Sequence, residues 1–272
     1  MLRLPEIDTV AALIAETAQE LILPRFGRLE EGAVMEKAPG DLVTIADQES
    51  EIRLAARLPD LMPGSLVVGE EAYAKDPAVL DLLDGDDPVW IVDPVDGTAN
   101  FVAGRPRFGT IVALVQRGET LMGWIHLPVQ DRTAWAVRGE GAFIDGRRMT
   151  LPEPGPLATL RGGFNLAKRP PGYAEAVLRL RDAVASHIHV NCAGADYIDA
   201  VEGRIDILAY RKLFPWDHAA GTLLHAEAGG WAAVLDGIRY RPTLRQGPIL
   251  VAPDEASWRA ARAAMGEIAA AA

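Results

Sequence analysis

The sequence predicts a mixed α/β protein in two joined lobes, and three observations point to it. Helical periodicity opens the chain, closely spaced strands follow from Phe108, and strand and helix patterns alternate beyond a cluster of prolines at Pro152, Pro154 and Pro156. Of 272 residues, 49% are hydrophobic, enough for a large core in one domain or two closely packed lobes.

Val10, Leu13, Ile14, Ala18, Leu21 and Ile22 recur at helical spacing over residues 8–23, and Pro24 stops the pattern. A short extended piece from Asp41 leads to a second helix over residues 47–58, with Asp47 where an N-cap belongs. Leu66-Val67-Val68 reads as a strand running into Gly69-Glu70-Glu71, and Val89-Trp90-Ile91-Val92 as one ending at Asp93. Strands at 109–115, 121–127, 133–138 and 141–144, broken by Gly118 and the Asp145-Gly146 turn, form an antiparallel meander. The prolines around Gly155 mark a boundary between an amino-terminal lobe, 1–150, and a carboxy-terminal lobe, 151–272. The second lobe alternates strand 160–164, helix 172–186, strand 188–191 and helix 195–201. Helix 216–228, strands 232–235 and 249–251 and a closing helix over 253–269 follow.

The formal net charge of −11 argues against a nucleic-acid polymer or a membrane as partner, but is compatible with a small anion held through a cation. There is no run of about eighteen apolar residues, and the opening Met1-Leu2-Arg3-Leu4-Pro5-Glu6 lacks a signal peptide's basic and apolar blocks. A soluble cytoplasmic protein is expected. Cys192 is the only cysteine, which excludes an internal disulfide and a cysteine metal cage and leaves it the role of a small buried hydrophobe.

The chemistry concentrates in Asp93-Pro94-Val95-Asp96-Gly97-Thr98-Ala99-Asn100-Phe101. Side chains alternate along a strand, so a turn after Asp93 is what lets Asp93 and Asp96 converge. A helix starting near Thr98 leaves the N–H groups of Gly97, Thr98 and Ala99 free to bind an anion. The plainer reading makes Asp-Pro and Asp-Gly turn formers and Thr98 a cap. Asp47 and Asp217 have plain readings too, as a cap and as a charge favoured at a helix N-terminus. Together Asp47, Glu70, Asp93, Asp96 and Asp217 offer five carboxylates, each at the junction of a strand or loop with a helix. Oxygen donors with few nitrogen or sulfur ligands select Mg²⁺, Mn²⁺ or Ca²⁺ over zinc, and Mg²⁺ commonly completes its octahedron with substrate phosphate.

These motifs resemble those of the inositol monophosphatase family, the Mg²⁺-dependent, lithium-sensitive phosphomonoesterases. Residues 90–101 are similar to the family's first signature, Gly69-Glu70-Glu71 to its Gly-Glu-Glu element, and Trp216-Asp217-His218-Ala219-Ala220-Gly221 to its second; residues 41–51 match its segment before the core helices. The resemblance implies alternating helix and sheet layers, a metal site between the lobes, a small phosphorylated metabolite as substrate and a homodimer. It also implies that Glu70, Asp93 and the Val95 carbonyl hold a first Mg²⁺, that Asp93, Asp96 and Asp217 hold a second, and that Glu70 shares in a third. Mn²⁺ is the expected substitute, and Ca²⁺ and Li⁺ the expected inhibitors. Glu70 and Thr98, with Asp47 behind Thr98, would activate water, while the Gly97 and Thr98 N–H groups grip the phosphate.

The substrate side departs from the family pattern. Tyr210 stands where inositol phosphatases carry a glutamate, and Gly194-Ala195 stands in place of a Gly-Ser pair. Arg211 and Lys212 are either solvated loop charges or recognition for a second phosphate or a carboxylate. Histidinol phosphate, fructose 1,6-bisphosphate and 3'-phosphoadenosine 5'-phosphate are therefore alternatives to an inositol phosphate. From a different class, a weakly catalytic protein-interaction module is the second reading. A dinucleotide-binding oxidoreductase is weaker, because Gly139-Glu140-Gly141 lacks the third glycine. His187 and His189 share a face of an expected strand and read as an ordinary surface pair; His126 and His225 read as structural.

Overall fold

Alternating burial along the strands sorts the side chains into layers. The computed structural model describes residues 4–29, 33–38, 41–165 and 172–267. Helix α1 (Ile7–Thr17) continues through a π-helical turn at Ala18–Ile22 and a 3-10 turn at Leu23–Arg25, where Pro24 lacks a backbone donor. The hairpin of β1 (Val34–Ala38) and β2 (Asp41–Thr44) enters α2 (Ile45–Leu61) through a capping box. The N-cap is thus Thr44 rather than Asp47. Asp47 sits at N3 and takes the Thr44 N–H at 2.8 Å.

The first sheet comprises β3 (Leu66–Gly69), β4 (Val89–Asp96), β5 (Gly109–Gln116), β6 (Glu119–Leu127), β7 (Arg132–Val137), β8 (Gly141–Ile144) and β9 (Arg147–Met149), in that order. Only β3 and β4 run parallel; the rest is the antiparallel meander. Two short helices interrupt it, α3 (Glu70–Lys75) after β3 and α4 (Thr98–Val102) after β4. The second half contributes β10 (Arg161–Phe164), α5 (Tyr173–Ala183), β11 (Ser186–Ile188), α6 (Ala193–Val201), β12 (Ile207–Tyr210), α7 (Pro215–Glu227), β13 (Trp231–Val234), β14 (Ile249–Ala252) and α8 (Glu255–Met265). Its strands pair in the order β11-β10-β12-β14-β13.

Differences from the sequence reading are local. The strand expected at 188–191 lies at Ser186–Ile188, and α8 ends at Met265; residues 268–269 of the expected closing helix lie outside the described residues. The sequence reading missed β1, β9 and the 3-10 segment Pro77–Asp84.

Along β4, Trp90 and Val92 pack with Val10, Ile14, Leu54 and Leu58 of α1 and α2, whereas Ile91 faces α6 and α7. Along β12, Leu208 joins that same central cluster, whereas Ile207 and Ala209 face Val177 of α5 and Trp258 of α8. The layers are therefore helix, sheet, helix, sheet, helix, with α6 and α7 in the middle. No helix among the described residues is long and apolar enough to cross a membrane.

The middle layer is tight. A Cβ on Gly123 of β6 would lie 2.8 Å from Ala220 Cα, and one on Gly221 would overlap the Tyr197 ring of α6. Small residues in Ala219-Ala220-Gly221 thus let α7 pack closely against both the large sheet and its neighbour α6. Gly221→Ala should destabilise the fold by about 1–3 kcal/mol through overpacking, read by denaturant unfolding. An unchanged midpoint would show that the Tyr197 ring yields freely.

His225, buried in α7, has no hydrogen-bond partner at Nδ1, and burial lowers its pKa from 6.5 to about 4. Between those values the unfolded chain binds a proton that the folded chain refuses. This group's contribution to stability therefore falls as pH drops from 6.5 towards 4. Relative to His225→Leu, the wild type should lose up to about 1.4 kcal/mol per pH unit in that window. A pH-independent difference in unfolding free energy between the two proteins would contradict this.

Candidate active site

β4 is buried along its whole length to Asp96. On β5, Asp93 faces Ile111 and Asp96 faces Gly109, so three steps along β4 match two along β5. The extra residue is a β-bulge, and it corrects the expectation that the strand ends at Asp93. Residues three apart on a regular strand point to opposite faces; the bulge cancels that alternation. Pro94, lacking an N–H, suits the interrupted ladder, and its carbonyl accepts from Thr110 Oγ1 at 2.9 Å.

Asp217, in the first turn of α7, completes the convergence. One carboxylate oxygen from each of Asp93, Asp96 and Asp217 lies within 4.8 Å of the others, and Asp93 and Asp96 are buried. Asp93 Oδ1 is buried without a hydrogen-bond partner. Burial, then the charges of Glu70, Asp96 and Asp217, pushes the Asp93 carboxyl well above the ordinary carboxylate range. Burial also raises Asp96, although that carboxylate accepts from Cys192 Sγ at 2.9 Å, Ala193 N–H at 3.0 Å and Gly194 N–H at 2.7 Å. Crowded carboxylates with an orphaned oxygen are costly in a dry site unless a cation joins them. The all-oxygen donor set fits a hard divalent cation.

Glu70 begins α3, where β3 ends. It stands outside the triplet and is held by Lys37, whose Nζ donates at 2.8 Å to both Glu70 Oε1 and Glu71 Oε1. Burial pushes Glu70 up to about 7 against the pull of Lys37. Glu51 accepts the Glu71 and Ala72 N–H groups at 2.8 Å, and a Cβ on Gly69 would overlap that carboxylate and displace it. Asp47, raised to about 6 by burial, accepts from Thr98 Oγ1 at 3.1 Å; the same hydroxyl lies 2.9 Å from the Val95 carbonyl. Gly97 has φ +84°, and a Cβ there would press on Arg107 O at 3.1 Å and Cys192 Cβ at 3.2 Å.

On the substrate side, the Gly194 N–H is engaged by Asp96, and Ala195 is buried. Tyr210 donates its hydroxyl to Asp196 Oδ2 at 3.0 Å, while Arg107 donates to Asp196 at 2.6 Å and to Asp199 at 2.7 Å. Arg211 is exposed, and exposed Lys212 lies over the Phe214 ring at 4.8 Å. His187 and His189 are exposed, and His189 lies beyond β11. Buried His218 bridges Tyr197 Oη and Lys212 O.

The sequence reading missed three groups. Lys37 carried no local signal, since its partners lie 33 and 34 residues away. Arg107 was visible as a basic residue just after the first motif, but its partners Asp196 and Asp199 were not. Cys192 is buried, as expected of a small hydrophobe, yet it also donates to Asp96.

Five alternating layers with an acid triplet at a strand bulge and a helix start define a layered α/β protein whose all-oxygen site suits a hard divalent cation. The sequence profile of the inositol monophosphatase family matches residues 3–271. The fructose-1,6-bisphosphatase/inositol-1-monophosphatase of Thermotoga maritima is 30% identical over 219 residues, 80% of either chain. The histidinol-phosphatase of Mycobacterium tuberculosis is 33% identical over 238 residues, 84% of this chain and 87% of that one. The crystal structure of the extragenic suppressor protein suhB from Bartonella henselae superposes with a TM-score of 0.82 at 26% identity, over 96% of this chain and 98% of that one. The chain belongs to the inositol monophosphatase family and is a phosphoric monoester hydrolase by that membership.

Mutual repulsion in the triplet makes cation binding a stability effect. Titrating Mg²⁺ into chelator-treated protein should raise Tm, by about 2.7 kcal/mol of stabilisation at a hundredfold excess over Kd. Asp93→Asn should melt no lower than wild type in chelator and lose most of the Mg²⁺ increment. An undiminished increment would remove Asp93 from the cation site.

Proposed function

We propose that this protein hydrolyses a small-molecule phosphate monoester with Mg²⁺ as cofactor, in the manner of an inositol monophosphatase. The observation that carries this reading is the convergence of Asp93, Asp96 and Asp217 within 4.8 Å, beside a buried Asp93 oxygen without a partner. Glu70, Asp93 and the Val95 carbonyl would hold one cation, and Asp93, Asp96 and Asp217 another. When bound, such cations supply Lewis acidity at the phosphoryl oxygens and at water.

The chain's own groups do the rest. Asp47 draws the Thr98 hydroxyl proton, which leaves the Thr98 oxygen as an acceptor for the attacking water. Lys37 holds Glu70 Oε1 in place, so the Glu70 carboxylate can orient that water and take its proton. The N–H groups of Gly97 and Thr98 bind phosphoryl oxygens, and only a glycine accommodates the backbone at 97. Water adds at phosphorus as the ester P–O bond breaks, giving phosphate and an alcohol whose oxygen takes a proton from solvent.

Tyr210 favours a second reading of the substrate. Its hydroxyl is spent on Asp196, so this position offers no carboxylate to a polyol. The names of the relatives divide between inositol, fructose and histidinol esters. Histidinol phosphate, fructose 1,6-bisphosphate or 3'-phosphoadenosine 5'-phosphate is the alternative ester, with Arg211 and Lys212 available for a second anionic group.

Phosphate release from those three compounds and inositol 1-phosphate, with and without Mg²⁺, tests both readings. Asp93→Asn should lower turnover by about 10²-fold or more, the scale on which a transition state loses an electrostatic anchor. A single strongly preferred ester would identify the substrate. Inactivity of folded, Mg²⁺-loaded protein on all four would turn attention to another ester or to the protein-interaction reading.

A further inference from the structure

A cavity of about 500 Å³ lies against the carboxy-terminal half of α7, lined there by Thr222 and Glu227. No acid of the triplet lines it, and its volume is that of a small-molecule site. Arg138, Arg239 and Arg241 converge on it, against two carboxylates, Glu119 and Glu227. Both carboxylates are already engaged. Glu227 accepts the Gly139 N–H at 2.8 Å and the Gly141 N–H at 2.9 Å, while Glu119 is shared by Arg138, at 2.7 Å, and Arg241. The Arg239 guanidinium carbon lies over the Trp231 ring, 4.1 Å from its centre. Stacking of that kind leaves the edge of the fork available for hydrogen bonds.

This is a locally cationic hollow in a chain of net charge −11. Arg138 and Arg241 share Glu119 between them, two guanidinium charges against one carboxylate, and Arg239 has no carboxylate partner among the described residues. Guanidinium groups recognise phosphate and carboxylate oxygens bidentately, so the surplus suits an anionic ligand that Arg239 engages first. We propose that this cavity is a second ligand site, separate from the acid triplet, for a small polyanionic metabolite bearing phosphate or carboxylate groups. Tyr240 belongs to the same hollow. It lines the cavity, and its buried hydroxyl has no hydrogen-bond partner. Asp217, in the first turn of α7, lies on the same helix as Thr222 and Glu227, which line the cavity at its other end.

Calorimetric titration of the Asp93→Asn protein, stripped of metal and dialysed free of chelator so that the metal site is disabled and no other polyanion is present, tests the proposal with pyrophosphate and citrate as separate probes. Saturable binding of one probe molecule per chain is expected. Arg239→Ala with Arg241→Ala should weaken it at least tenfold at unchanged Tm, and Arg239→Lys, which keeps the charge without the fork, should weaken it less. Arg211→Ala should leave it unaltered. Preference between the probes assigns phosphate or carboxylate as the recognised group. Absence of saturable binding with both probes overturns the proposal. So does binding that depends on Arg211 or is indifferent to Arg239 and Arg241.

Discussion

The bulge on β4 is the constraint on which the site depends. A strand delivers side chains alternately to two faces, and on this strand one face looks into α1 and α2 while the other looks into α6 and α7. Without the extra residue between Asp93 and Asp96, one of the two carboxylates would be driven among apolar side chains. With it, both meet Asp217. Pro94 and Thr110 stabilise the irregularity, one by lacking a donor and the other by satisfying the carbonyl it exposes.

The third acid arrives by packing rather than by backbone geometry. Helix α7 lies close to the large sheet because β6 has Gly123 opposite Ala220, and close to α6 because Gly221 leaves room for Tyr197. The small residues that follow Asp217 in α7 therefore set where its carboxylate sits. Cavity formation and overpacking both cost free energy in a layer buried on both sides, so there is little slack in where the carboxylate sits.

Electrostatics around the triplet follow a division of labour. Carboxylates at the periphery have internal partners: Glu70 and Glu71 have Lys37, and Asp196 and Asp199 have Arg107. Asp93 has none of these cations as a hydrogen-bond partner, and its Oδ1 is unsatisfied. The peripheral pairs orient what surrounds the centre. Arg107 also ties the segment after α4 to α6, so the two helix starts that flank Asp96 are held together.

Much of this was legible in the sequence because it is local. The meander was written in alternating strands and turn glycines, the family membership in four ordered motifs, and the candidate acids in their places at strand and helix junctions. Three kinds of information were not local. Asp93 could be read as the end of a strand, because a bulge is defined by the partner strand and β5 begins 13 residues after Asp96. Lys37, Arg107 and Cys192 acquired their roles only when distant segments met them. Tyr210 was visible as a departure from the family pattern, but its hydrogen bond to Asp196 depends on β12 and α6 lying side by side. The sequence by itself determined which elements form and which acids are available, since periodicity and turn chemistry act between near neighbours. Only the tertiary structure decided which of those acids share one point and which are neutralised by a partner, since charge acts through space and not along the chain.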